Sequence, residues 1–127
     1  MYYGGDKMDE KVTIDELKEI VQNFCEIRDW DQFHNPKDLA IGISTEAGEL
    51  LDLFRFKSKE QMGSMLMDNE KRESIEEELS DVLYFVLRFA QLYGIDLSRA
   101  LMSKIEKNDV KYPVDKVKGK NNKYNEI

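Results

Sequence analysis

Apolar residues recur at helical spacing along almost the whole chain, and the alternation with period two that marks a strand is absent. Thr13-Ile14-Asp15-Glu16 reads as a capping box opening a first helix, with Ile14, Leu17, Ile20, Val21 and Phe24 on one face and an end near Ile27 or Arg28. The period breaks over residues 28–35, a polar and aromatic stretch read as a connecting loop. Asn35 then caps, and Pro36 begins, a second helix that should continue to about Phe56. Ser58-Lys59-Glu60-Gln61 predicts a cap for a short helix carrying Met62, Met65, Leu66 and Met67, before a polar turn near Asp68 and Asn69. A third long helix is expected from about Glu70 to Tyr93, stopped by Gly94. Asp96 caps a fourth, from Leu97 to Lys107 or beyond, ahead of Pro113. The pattern predicts an all-α, four-helix bundle-like domain with a short extra helix.

Two acidic quartets interrupt the apolar runs: Glu46-Ala47-Gly48-Glu49 and Glu78-Leu79-Ser80-Asp81. With Glu46 set at zero on a helical wheel, Leu53 falls at about 340°, Leu39 at about 20° and Leu50 at about 40°, so Glu46 lies inside the apolar stripe. Glu49, at about 300°, lies on its edge. Glu78 repeats this layout among Phe85, Phe89 and Val82, with Asp81 at about 300°. A solvated face would explain one isolated acidic pair, but not two glutamates at the centre of packing faces. A buried carboxylate must protonate, find a partner or coordinate a metal.

The single histidine, His34, and the single cysteine, Cys25, rule out the Glu-x-x-His sets of di-iron bundles and a structural zinc site. Oxygen donors on two facing helices suit a hard divalent ion, Mg²⁺ or Mn²⁺. On pattern alone, a network with Arg55, Arg72 or Arg88 stays open as the other way to hold the acids.

The composition sharpens this. At 127 residues the chain has the size of one domain, with residues 1–12 as an N-terminal extension. Its 26 acidic and 19 basic side chains give a net charge of −7, which argues against nucleic acid or an anionic membrane as partner. A phosphate-bearing ligand would need a cation to bring it in. Cys25 can form no internal disulfide, the N-terminus has no signal-like apolar core, and the longest apolar run, residues 82–87, is too short to span a bilayer; a cytoplasmic protein is expected. Residues 114–127 carry Lys116, Lys118, Lys120 and Lys123 and little apolar surface, so they read either as a mobile basic tail or as a segment that orders over ligand.

The quartets, in the order Glu-x-x-Glu, spacer, Glu-x-x-Asp, together with "RDWDQFHNPKDL" at 28–39, "EAGELLDLFRF" at 46–56, "YGIDL" at 93–97 and "KNDVKYP" at 107–113, resemble the MazG-like all-α nucleoside triphosphate pyrophosphohydrolases, in particular the dCTP-pyrophosphatase-like branch. The resemblance covers about residues 13–124. It implies Mg²⁺-dependent hydrolysis between the α- and β-phosphates, giving a monophosphate and pyrophosphate. It also implies that Glu46, Glu49, Glu78 and Asp81 are the metal ligands and carry the catalysis. By the same resemblance Trp30, Phe33 and His34 would meet the base, and Lys104, Asn108, Lys111 and Tyr112 the phosphates. Phe56 stands where the branch commonly has tryptophan, which bears on the choice of base.

Helix three's apolar arc is wider than one flank of a four-helix domain needs. That excess, and the methionines of the short helix, predict a homo-oligomer, with a tetramer the first expectation and a dimer the second. The leading functional expectation is a (d)NTP pyrophosphohydrolase that cleans the nucleotide pool, with dCTP-like substrates. The alternative is a non-catalytic acidic helical module that binds nucleotide, divalent metal or a partner protein.

Overall fold

The structure is a computed structural model in which residues 7–127 are described; the first half of the N-terminal extension, residues 1–6, lies outside them. All regular structure among the described residues is helical: α1 (Ile14–Glu26), α2 (Pro36–Phe54), α3 (Lys59–Met67), α4 (Asn69–Leu92), α5 (Leu97–Lys111) and α6 (Val114–Val117), with single 3₁₀ turns at Met8–Glu10, Asp31–Phe33 and Tyr124–Glu126. The chain divides after Gly94 into two compact units, the second being Ile95–Ile127.

The helix starts follow local chemistry. The Thr13 hydroxyl accepts from the Glu16 amide at 3.1 Å while the Glu16 carboxylate accepts from the Thr13 amide, closing the expected capping box. Asn35 Oδ1 accepts from Asp38 N at 2.9 Å, just ahead of Pro36. Ser58 and Gln61 form a second capping box, and Asp96 caps α5 through the Arg99 amide.

Two boundaries depart from the periodic pattern. Asp68, read as turn, is the N-cap of α4, accepting from Lys71 N at 2.9 Å, so the helix starts at Asn69. The second helix ends at Phe54 rather than near Phe56, because Arg55 adopts an extended conformation and Phe56 a positive φ of 63°. A left-handed residue cannot continue a right-handed helix. At the other end of α4, Gly94 takes φ 63° and stops the helix where expected.

In the first unit α4 is the central element, packing against α2 most extensively and also against α1 and α3. Its buried positions, Ile75, Leu87, Arg88 and Ala90, with the buried Leu39 of α2, Val21 and Cys25 of α1 and Met65 of α3, make up a thin core. Cys25 is a buried thiol on α1, with its sulfur 3.1 Å from the Tyr84 hydroxyl. Gly42 marks the tightest approach of α2 to α4: a Cβ there would come within 2.5 to 2.8 Å of three atoms of the Phe85 ring. The second unit carries α5 and α6; Lys111 Nζ lies 4.7 Å from the centre of the Tyr124 ring, against which Tyr112 packs edge-on.

Candidate functional site

Glu46 is one turn after Gly42 on α2, and Glu78 is two turns before Phe85 on α4. The contact that needs no side chain at position 42 therefore lies beside the place where the two acids face each other. Carboxylate oxygens of Glu46, Glu49 and Glu78 lie within 4.8 Å of one another, close enough for one ion to touch all three. Asp81 stands outside that group and is exposed, but its negative charge reaches both Glu46 and Glu78.

Glu46 and Glu78 are half-buried, and Oε2 of each is out of solvent with no hydrogen-bond partner among the described residues. Placing an acceptor there without a donor is costly, and crowding carboxylates raises that cost. The titration of the pair reflects it. Glu46 is pushed up to about 7, first by a hydrogen bond with the Glu49 side chain, then by burial and by the negative charges of Glu49, Asp81 and Glu78. Glu78 is raised as well, chiefly by burial and next by its hydrogen bond with Glu49. A proton shared among carboxylates and a divalent cation held between them relieve the same repulsion.

The arginines weighed for that role have partners elsewhere. Arg88 is buried, but it serves the loop before α2: its Nε donates to His34 Nδ1 at 2.9 Å, its Nη1 to Gln91 Oε1 at 2.5 Å, and its Nη2 pairs with Asp31. Arg72 pairs with Glu76 at 3.3 Å and donates to the Leu66 carbonyl. The Arg55 guanidinium lies 4.8 Å from the Phe56 ring centre. The donor set left open is all oxygen, has no histidine or thiolate, and fits a hard divalent ion such as Mg²⁺ or Mn²⁺.

The aromatic candidates lie on the turn that Arg88 anchors. Trp30 is 38% exposed and meets Phe24 of α1 edge-on, with ring centres 5.7 Å apart. Phe33 is exposed and His34 half-buried. Asp29, with φ 56°, turns the chain out of α1 into this segment; aspartate tolerates that conformation better than most residues. Phe56 is 90% exposed, beyond the end of α2. Lys104, Asn108, Lys111 and Tyr112 all belong to the second unit, the first three on α5 and Tyr112 at its C-cap. Sequence reasoning missed the role of Asp31 and Gln91 as partners of Arg88; an unexplained arginine on the apolar face of α4 was the one available signal.

Comparison with known proteins agrees with this architecture. A solved pyrophosphatase structure from Archaeoglobus fulgidus superposes with a TM-score of 0.71 at 32% identity, covering 89% of this chain and 98% of that one. The rat protein dCTP pyrophosphatase 1 is 36% identical over 115 residues, which cover 91% of this chain and 68% of the relative. Its human counterpart is 33% identical with the same coverage. The model of the MazG-like family matches residues 41–127, a span that includes both acidic quartets and begins after the Trp30–His34 turn. An all-helical chain with this breadth of similarity belongs to the MazG-like family.

Proposed function

We propose that this MazG-like protein is a Mg²⁺-dependent nucleoside triphosphate pyrophosphohydrolase that converts dCTP or a related (d)NTP to the monophosphate and pyrophosphate. One observation carries the reading: Glu46 and Glu78 turn carboxylate oxygens inward from two helices, and Oε2 of each has no donor among the described residues. Glu46, Glu49 and Glu78, with Asp81 at the rim, would hold the ion. When bound, Mg²⁺ would offset the charge of the phosphates that a protein of net charge −7 otherwise repels. Water attacks one phosphorus of the α–β anhydride: a P–O bond forms to the water oxygen, the bridging P–O bond breaks and its electron pair leaves on the bridging oxygen with the other product, and a carboxylate of the cluster would take the proton from the attacking water.

The relatives named dCTP pyrophosphatase 1 support a cytosine-like base, and Trp30, Phe33 and His34, which share the turn before α2, would meet it. Phe56 would border the base, while Lys104, Asn108, Lys111 and Tyr112 would meet phosphate. The family match across 41–127 supports reading both units as one functional domain. An oligomer, tetramer first, is supported by the exposed apolar strip of α4, where Leu79 is 56% and Leu83 44% exposed beside Val82 and Val86. Among the described residues no helix is long and apolar enough to cross a membrane, in keeping with a role in the cytoplasmic nucleotide pool.

The test is a panel of dCTP, dTTP, dUTP and their ribose counterparts with and without Mg²⁺, read as pyrophosphate and monophosphate. The expected result is pyrophosphate release that needs the metal and is fastest with dCTP. Tight nucleotide binding without product would instead establish a binding module, and light scattering in the same buffer would fix the assembly.

A further inference from the structure

Arg88 is the one charged side chain among the described residues that is fully buried, at 0% exposure. It lies seven residues beyond Asp81 on α4, about 10 Å along the helix axis and on nearly the same face, so its end of the helix is a nucleoside's reach from the carboxylates. All three of its nitrogens are engaged: Nη1 with Gln91, Nη2 with Asp31, and Nε with His34 Nδ1 at 2.9 Å. A guanidinium can only donate, so the His34 nitrogen facing it must be bare. A neutral imidazole with a bare Nδ1 carries its proton on Nε2. No partner within the described residues holds that second nitrogen, and the half-buried ring stands on the same turn as Trp30 and Phe33.

We infer that Arg88 is a positioning residue: it fixes His34 as the Nε2–H tautomer and ties the aromatic turn to α4, so that the imidazole offers one directed donor to an acceptor atom, a carbonyl oxygen or bare ring nitrogen, on the edge of the nucleobase. This rests on the nucleotide reading above and adds to it the polarity of the base contact. Burial and two charged groups act on the ring. Burial and the Arg88 charge disfavour its protonation while Asp31 favours it, and the balance lowers His34 from its ordinary 6.5. A doubly protonated ring would set an N–H against the guanidinium Nε–H; the arrangement therefore keeps the ring neutral and its donor in place.

Because His34 is the only histidine, ¹⁵N-histidine labelling of the whole protein gives a spectrum of one ring. Long-range ¹H–¹⁵N correlation should show a protonated Nε2 and a bare Nδ1, persisting below pH 6.5. Arg88→Met should give mixed tautomers and a titration shifted back toward 6.5. In turnover, His34→Leu should raise KM for the preferred triphosphate by about tenfold with a smaller change in kcat, the loss of one directed hydrogen bond. His34→Gln, whose amide both accepts and donates, should stay within about threefold of wild type. An Nδ1–H tautomer in the wild type, a titration that Arg88→Met leaves unmoved, or equal impairment of the Leu and Gln variants would each overturn the inference. The wild-type spectrum and the His34 pair decide it even where Arg88→Met does not fold. A protein that hydrolyses no triphosphate would defeat the nucleotide reading alone, since the spectrum reports the Arg88–His34 pair without any substrate.

Discussion

Helix α4 carries two charged centres, and they are built on opposite terms. Near its C-terminal end Arg88 is wholly buried, yet Asp31, His34 and Gln91 between them answer every nitrogen of its guanidinium. Nearer the middle, Glu78 faces Glu46 with less burial, but Oε2 of each has no donor among the described residues. The deeper charge is satisfied by the protein and the shallower ones are not. Burying an ion is tolerable only with full compensation, so the Arg88 end behaves as structure. The carboxylate end stores an imbalance that something brought from solution must correct. Depth and hydrogen-bond satisfaction therefore rank the two centres in opposite orders.

Removing a charge should therefore have opposite consequences for function and for stability at the carboxylates. Glu78→Gln or Glu46→Gln is expected to cut pyrophosphate release by more than about a hundredfold, beyond the effect of losing a group that merely supports a metal ligand. The same change should raise the melting temperature of the metal-free protein at pH 8 by a few degrees, because it removes a repelled, partly buried charge. Arg88→Met breaks a satisfied network and should lower it, leaving Asp31 and Gln91 without their partner. Glutamine variants that are less stable than wild type without metal would erase the distinction between the two centres.

The helix contact at Gly42 offers the next largest effect. In Gly42→Ala the new methyl must displace the Phe85 ring, an overpacking cost of about 1–3 kcal/mol set against about 1 kcal/mol gained in helix propensity. The expected outcome is a net loss of about 1 kcal/mol in chemical denaturation, together with a weaker stabilisation by Mg²⁺, because α2 and α4 are pushed apart beside Glu46. Adding Phe85→Leu should recover the stability. Unchanged metal response in Gly42→Ala would show that the close approach of the helices is irrelevant to the acids.

Much of this was legible in the chain because the signals are local. Thr13, Asn35, Ser58 and Asp96 cap where their residue types announce it, since a cap is chemistry within three residues. The inward turn of Glu46 and Glu78 followed from the helical period, and the structure finds both half-buried with Glu49 and Asp81 exposed. Partnering did not follow, because it is long-range. Arg88 could equally have served the carboxylates or, as it does, Asp31 and His34, more than fifty residues away in sequence. The exit from α2 was also hidden: Phe56 has no feature that announces a left-handed conformation, and the apolar pattern runs past the true end. Nothing near Gly42 in the sequence announces its contact, because the Phe85 ring that fills the place of its missing side chain comes from another helix.

The two centres should also respond to pH with opposite signs. Glu46 moves from 4.5 to about 7 on folding, so between those values the folded protein binds more protons than the unfolded chain, and its contribution to stability falls as pH rises. Glu78 is shifted in the same direction. His34 is lowered from 6.5, so there the unfolded chain binds the extra proton and the contribution rises with pH up to that value. Melting curves of wild type minus Glu46→Gln should slope downward between pH 4.5 and 7. Saturating Mg²⁺ should flatten that difference, most strongly at the alkaline end where proton competition has ended. An upward slope would mean that Glu46 is not raised.

The smallest expected effect separates charge from burial as the cause of all this. Tyr84 also projects from α4, and its hydroxyl lies 3.1 Å from the buried Cys25 sulfur; its ionisation is raised by burial first and by that hydrogen bond next. The contact is polar, enclosed and neutral. Tyr84→Phe keeps the ring and its edge-on packing with Phe24 and Phe85, and removes one hydrogen bond to a weak sulfur partner. A loss of about 1 kcal/mol or less is expected in denaturant unfolding, with the Mg²⁺-induced shift in melting temperature unchanged. If instead the variant lost its metal response as Gly42→Ala does, general loosening of α4 would suffice to explain both. Intact metal response beside a measurable stability loss would assign the ion's effect to the unsatisfied carboxylates themselves.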